Sequence, residues 1–484
     1  MSQASFTEGR GCSWEEFFRL LGVSDDDYAL RSELQKKLVA EGVVNGRNAS
    51  ASAVDDGESS SSAEKAKAKP EVVFPFVGVV ECCGVVIKCL PKYVKTADEE
   101  SRMKALKCAL RAIERYHSEH DDSESSSAEP VTRISNRLAL AWRLVKDYFL
   151  NGLYSREREE RVLLGQGEVD WETTINTTLC VIQKERPCYF AYYTTDTFRD
   201  DADYITRLHA CIITECSEEL KRCELDQLLD LQTPCLSQNL RTDFGTDAFI
   251  CQRLRQELCA SFSSQKQELL RNLLSWVDEN TPGTEKDLQM FGTSSFHAVW
   301  EDACKVVFDS HRAAPLKDLE RHLGRALHED FRVQSTVSLE TLMPKPRWMR
   351  KDQELPDDAP TLRPDFLRVE AGYFIILDAK YYDVSWGDNG ISGQPGIGDV
   401  LKQFAYKKAY EDFCTAHDLK PLNAFVFPTG EDTSALVGNV TLDIFPEDHI
   451  HVIMFSAPTL LNHYVNHDRP GLKNALPEEL FQEG

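Results

Sequence analysis

Between Arg363 and Lys380 the sequence RPDFLRVEAGYFIILDAK leaves the backbone little choice. Two largely apolar runs flank Ala371-Gly372, a pair suited to a two-residue turn, so the segment is expected to fold as a β-hairpin. If Glu370 pairs with Tyr373, the pairing runs outward one for one and Asp365 falls directly opposite Asp378. Residues so opposed share a face with β-carbons about 5 Å apart. Strand alternation then returns Lys380 to that face, gathering two carboxylates and an ammonium in one place.

Two ionised carboxylates at that separation repel by roughly 3 kcal/mol at an effective dielectric near 20, and a positive group between them removes the conflict. An oxygen-only ligand set, without histidine or cysteine, favours Mg²⁺ or Mn²⁺, with a phosphate oxygen among the remaining ligands. The chemistry such a site suits is phosphodiester hydrolysis, with Lys380 stabilising charge that develops during attack. The triplet Asp378-Ala379-Lys380 is weak evidence by itself, because a chain of this composition produces about nine acid-x-base triplets by chance. Glu219-Leu220-Lys221 and Asp418-Leu419-Lys420 are two of them. Weight comes from the joint pattern of Pro364-Asp365, the turn, and an apolar strand ending in the triplet. The bland alternative is a surface hairpin with a salt bridge.

The surroundings constrain what that site could meet. Across 484 residues, 55 Lys and Arg face 79 Asp and Glu, a net charge of −24, so no global basic field draws the chain to DNA or anionic lipid. Any DNA contact must be local; Lys345 to Lys351, four basic residues around Trp348, is one candidate. No segment reads as a signal peptide or approaches the roughly 18 apolar residues of a membrane span, so a cytoplasmic protein is expected. Fifteen cysteines without a C-x-x-C read as reduced, buried small hydrophobes.

Patterning divides the chain in three. Residues 1–71 read as a small helical piece (14–44) followed by an acidic, Ser-rich linker (48–69). Residues 72–284 read as a β-hairpin and helical region, interrupted by a second Ser-rich stretch (118–130). Its helices carry the stripes Met103, Leu106, Leu110, Ile113 and Leu138, Trp142, Val145, Phe149, and a third, through Leu208 and Ile212, has His209 as a packing residue. Residues 285–484 are expected to hold helices near 295–308 and 316–328 and strands at 362–369 and 373–381. A glycine-rich loop (387–398) should lead into a helix at 399–417, with further strands at 423–428 and 449–455. The fold class is α/β (α+β): a mixed central sheet flanked by helices, preceded by a β-rich and helical N-terminal region.

A Pro-Asp followed, after a hairpin, by apolar residues and Asp-x-Lys resembles the PD-(D/E)xK nuclease superfamily, and Asp365, Asp378 and Lys380 match its motif position by position. Gln403 and Tyr406 resemble the Gln-x-x-Tyr element that such nucleases place near metal and DNA backbone, and Glu301 stands where the superfamily often supplies another acid. A wider set of segments is similar to the LlaJI-type restriction endonucleases related to McrC. They are Phe76-Val77-Gly78 through Pro91-Lys92-Tyr93, Val169 to Ile175, Leu208-His209, Val299-Trp300-Glu301, Gln394 to Ile397, and Lys402-Gln403. The resemblance implies a restriction-endonuclease-like C-terminal domain and a Mg²⁺-dependent deoxyribonuclease, in which Mn²⁺ can substitute. Asp365, Asp378 and Glu301 would serve the metal, and Lys380, Gln403 and Tyr406 would complete the catalytic set.

It further implies a subunit of a bacterial anti-phage restriction system acting on double-stranded DNA with an AAA+ GTPase partner of McrB type, the 72–284 region serving partner docking, through its Val72–Tyr93 segment in particular, or DNA recognition. No G-x-x-x-x-G-K-[ST] occurs, so nucleotide energy would have to come from such a partner. Two other readings stay open at this point: a repair or recombination nuclease of the same fold acting at DNA ends, and an adaptor whose main work is to stimulate a motor.

Overall fold

The computed structural model describes residues 5–40, 42–46, 72–120, 136–155, 157–199, 203–278, 288–350, 353–355, 361–370, 372–387, 390–471 and 476–481. The Ser-rich stretches at 48–69 and 121–130 lie outside them. The described residues fall into two compact units, one within 1–134 and 290–484, the other within 135–289.

In the first unit the sheet that carries the hairpin has five strands in the order Phe366–Glu370, Tyr373–Ala379, Lys420–Thr429, His449–Ser456, Ala435–Thr441. The two outer pairings are antiparallel and the two inner ones parallel, which is the expected mixed sheet. Along the hairpin, Leu367, Val369, Phe374 and Ile376 face one layer, packed against Tyr406 and Phe413 of the helices Ile397–Ala409 and Glu411–Ala416 and against Tyr410 at their junction. The alternate residues face the other layer, where Phe366 meets Phe308, just past the helix Phe296–Val307. That helix packs with Ala457–Val465 and Glu99–His120; Tyr464 donates to Asp302 at 2.7 Å, and the Arg115 guanidinium lies 4.2 Å from the Tyr464 ring centre.

A second sheet in this unit orders Ser5–Thr7, Val85–Leu90, Val77–Cys82 and Leu288–Thr293. Gly78 and Gly292 explain why the last two strands can lie so close. Both have positive φ (149° and 159°), and a β-carbon on either would collide with the other's backbone. This pairing groups the chain differently from the three-part division along the sequence, because residues 72–120 build their core with the nuclease-bearing half. Val77–Cys82 is buried along its whole length. The expected docking segment Val72–Tyr93 is thus largely sheet interior, leaving little of it exposed to a partner.

The second unit is mainly helical, with Asn136–Asn151, Tyr204–Arg222, Asp247–Ala260 and Ser264–Asp278. Arg137 forks onto Glu219 at 2.8–3.0 Å and stacks 3.9 Å from the Trp276 ring centre. His209 is buried, its Nδ1 accepts from the Tyr154 backbone at 2.9 Å, and burial pushes its pKa down to about 4, as befits a packing residue. A hairpin, Cys180–Gln183 with Arg186–Tyr189, leaves Ile182 exposed, with Leu179 and Phe190 exposed beside it.

Local differences have local causes. The helix expected at 316–328 is only a 3-10 turn, Leu316–Leu319, and one α turn, Glu320–Leu323, because Gly324 turns left-handed (φ 67°) and ends it. The helix expected at 399–417 starts two residues earlier and breaks at Tyr410. Ala435–Thr441 is an additional strand. Every cysteine is free, most are buried as expected, and Cys180, Cys235 and Cys259 are exposed. Among the described residues no helix is long and apolar enough to cross a membrane.

Candidate active site

The hairpin forms in the expected register, from Phe366↔Leu377 to Glu370↔Tyr373, with Gly372 at φ 88° in the turn. One step beyond the ladder, Asp365 and Asp378 are in hydrogen-bond contact. Asp378 is only 6% exposed. Burial first, then the hydrogen bond and charge of Asp365, push its pKa up to about 8, against the opposing pull of Lys380. Asp378 thus holds its proton up to near neutral pH.

Lys380 follows the strand and stays anchored to the sheet, its backbone N–H donating to Val426 at 2.9 Å. Its ammonium lies 3.2 Å from Asp378 Oδ2 and 3.3 Å from Asp399 Oδ1. Desolvation works to lower its pKa, but Asp378 and Asp399 outweigh it and the net shift is upward, so this lysine stays charged. Asp399 sits in the first turn of Ile397–Ala409, where a carboxylate also meets the helix dipole. It was not among the expected site residues. Its spacing of four to Gln403 and seven to Tyr406 is the signal that places it on their face.

The other expected residues separate. Tyr406 reaches the site: its hydroxyl donates to the Arg363 carbonyl at 3.1 Å, two residues before Asp365, and burial followed by the charges of Asp378 and Asp365 pushes the phenol up to about 12. Arg312 steadies the same stretch from another side, donating to the Pro364 carbonyl at 3.1 Å. Gln403 is fully buried and acts as a strut, its amide nitrogen donating to the Ala424 carbonyl at 3.3 Å while Asn423 donates to its backbone. Its amide oxygen has no partner. Glu301 is exposed at the edge of the site. Desolvation raises its carboxyl pKa, Lys380 opposes this, and the charge of Asp378 adds to it. Trp348 is exposed on the short strand Trp348–Arg350, and among the described residues no bond links it to the carboxylates.

The donor set suits a hard divalent cation, since two carboxylates that cannot both ionise cheaply are the arrangement a cation relieves. Among the described residues no three Asp, Glu, His or Cys side chains are gathered closely enough to hold a metal alone. Glu301 therefore stands near the pair without joining it.

Beyond the site, Tyr381 ties it to the start of the chain. Its hydroxyl donates to Glu8 at 2.6 Å and accepts from the Lys92 backbone at 3.2 Å, and the Lys92 ammonium lies 4.0 Å from the ring centre.

The chain is 27% identical over 411 residues to the type II restriction enzyme BsuMI component YdjA of Bacillus subtilis (strain 168), covering 82% of this chain and 81% of that protein. A chain from the Thermococcus gammatolerans assembly of McrB AAA+ hexamers with bound McrC aligns over 96% of this chain and 98% of its own length, at 11% identity and a TM-score of 0.38. A chain of the McrBC complex from the same organism aligns over 57% and 79%, at 13% identity and a TM-score of 0.22. The profile of the LlaJI restriction endonucleases matches residues 76–338 and 331–458, across both units and through the carboxylate hairpin, and the chain belongs to that family.

Proposed function

We propose that this restriction endonuclease cuts double-stranded DNA at a PD-(D/E)xK centre formed by Asp365, Asp378 and Lys380, with Mg²⁺ as its metal and Mn²⁺ able to replace it. The observation that carries the reading is the hydrogen-bonded carboxylate pair with a lysine ammonium 3.2 Å from one member. Asp365 and Asp378 would hold the cation, which would supply polarisation of the phosphate and a lower pKa for the attacking water. Before it enters, the pair must give up the proton that burial and mutual repulsion retain on Asp378. Lys380, kept charged by Asp378 and Asp399, donates to phosphate oxygens as negative charge grows on them and does not act as the base. Tyr406 and Arg312 position Asp365 through the Arg363 and Pro364 carbonyls. Glu301, at the rim, serves the metal from outside the pair.

A McrB-type AAA+ GTPase would supply the nucleotide-driven step. What supports a docking role for the second unit is the hairpin Cys180–Gln183 with Arg186–Tyr189, on and beside which Leu179, Ile182 and Phe190 are exposed.

Cleavage of supercoiled plasmid tests the centre. Wild type is expected to linearise it with Mg²⁺ and the motor present, and to stop in EDTA. Asp378→Ala should leave it intact while retaining the native circular dichroism spectrum. Cutting by Asp378→Ala at the wild-type rate would refute the site. Attack on linear but not circular DNA would favour the end-acting alternative.

A further inference from the structure

One face of the helix Glu99–His120 carries Ser101, Lys104, Lys107 and Arg111, at spacings of three, three and four residues. With Lys95 they form one wall of a cleft of about 760 Å³. The facing wall is the carboxyl end of the strand Lys420–Thr429, with Gly430 and Asn462. Glu431 and Asp432 also line it, so four cations meet two carboxylates in a chain whose overall balance is −24. Tyr93 lines the cleft as well, its hydroxyl buried and without a hydrogen-bond partner among the described residues.

The cleft adjoins the catalytic hairpin. Lys380 is bonded to Val426, three residues before Thr429, which is about 10 Å along a strand. Tyr381, next to Lys380, lies against Lys92, next to Tyr93. Lys95 is paired with Asp383 and Lys104 with Glu100, each at 2.7 Å, but these are solvent-facing pairs that exchange for phosphate at little cost.

From this placement we infer that the cleft holds backbone phosphates of the DNA strand flanking the bond that is cut, with Lys104, Lys107 and Arg111 as the phosphate-contacting row. The assignment rests on the nuclease reading and names where its substrate is gripped.

The test measures duplex binding by the full chain in EDTA over a series of salt concentrations. Lys104→Glu with Lys107→Glu is compared with a control reversal at the exposed Lys36 and Lys317 (Lys36→Glu with Lys317→Glu). Loss of two phosphate contacts should flatten the slope of log affinity against log salt by about 1.8. It should also raise the half-saturating DNA concentration for cleavage at least tenfold, and more than it lowers the saturated rate. Equal slopes in the cleft and control variants would overturn the assignment. If the charge reversal lowers the melting midpoint, Lys104→Gln with Lys107→Gln decides by the same criterion. Asp378→Ala separates the two readings: it should abolish cutting and keep the wild-type salt slope, and if it still cuts, the catalytic centre is refuted while the slopes still decide the cleft.

Discussion

Asp378→Asn should make the metal-free protein more stable, and the gain should grow with pH. In the folded state the Asp378 pKa lies at about 8, against 3.8 when free, so the native protein retains a proton that the unfolded chain releases across that interval. This group's contribution is therefore most favourable below about pH 4 and is lost as pH rises toward 8, because the unfolded state binds fewer protons there. Each unit corresponds to about 1.4 kcal/mol. Taken in full, the accumulated penalty at pH 7.5 would be about 5 kcal/mol, and relaxation around a buried carboxylate reduces it to on the order of 2–3 kcal/mol. Asparagine keeps the shape, can donate to Asp365 and accept from Lys380, and has no proton to lose. Urea unfolding in EDTA at pH 5.5, 6.5 and 7.5 should show the variant ahead at every point and furthest ahead at pH 7.5. A difference independent of pH, or a variant less stable than wild type at pH 7.5, would refute the claim that the pair is strained without metal.

Asp399→Asn removes one of the two carboxylates that hold Lys380 charged, so the alkaline limb of the cleavage pH profile should move to lower pH while the rate at neutral pH changes little; an unchanged limb would show that Asp378 alone sets the lysine. Tyr406→Phe should slow cleavage several-fold with little change in unfolding midpoint, since only the bond to the Arg363 carbonyl is lost, whereas Gln403→Ala should cost about 2 kcal/mol of stability by emptying a buried strut; equal effects on rate and stability in both would collapse the distinction.

The hairpin was legible because its constraint is local. A glycine between two β-forming runs fixes the turn, and alternation then determines which side chains share a face, so Asp365, Asp378 and Lys380 could be placed together from sequence. Asp399 was harder: an acid in the first turn of a helix is an ordinary dipole partner, and only its strand neighbour Lys380 gives it another task. The Glu8–Tyr381 bond spans most of the chain and leaves no periodic trace at either end. Ala435–Thr441 escaped because it alternates only between half-buried and exposed, with Gly438 in its middle, a pattern close to that of a loop. The short turns at Leu316–Leu323 misled in the opposite direction, since their leucines repeat as a longer helix would until Gly324 interrupts.

The discontinuous first unit also governs when the enzyme comes into being. On the ribosome Val77–Cys82 emerges about two hundred residues before Leu288–Thr293, the strand that completes its sheet, which at 5–20 residues per second is a wait on the order of 10–40 s. The residues of the second unit appear during that wait and can fold as a block of their own. Asp365, Asp378 and Lys380 are made later still, and the strand beneath Lys380 comes after them. On a nascent chain the hairpin of Asp365 and Asp378 therefore lacks its neighbouring strand until Lys420–Thr429 has been made. The same delay leaves an apolar strand edge waiting for its partner, so slow or interrupted synthesis should yield aggregate before it yields stray cutting.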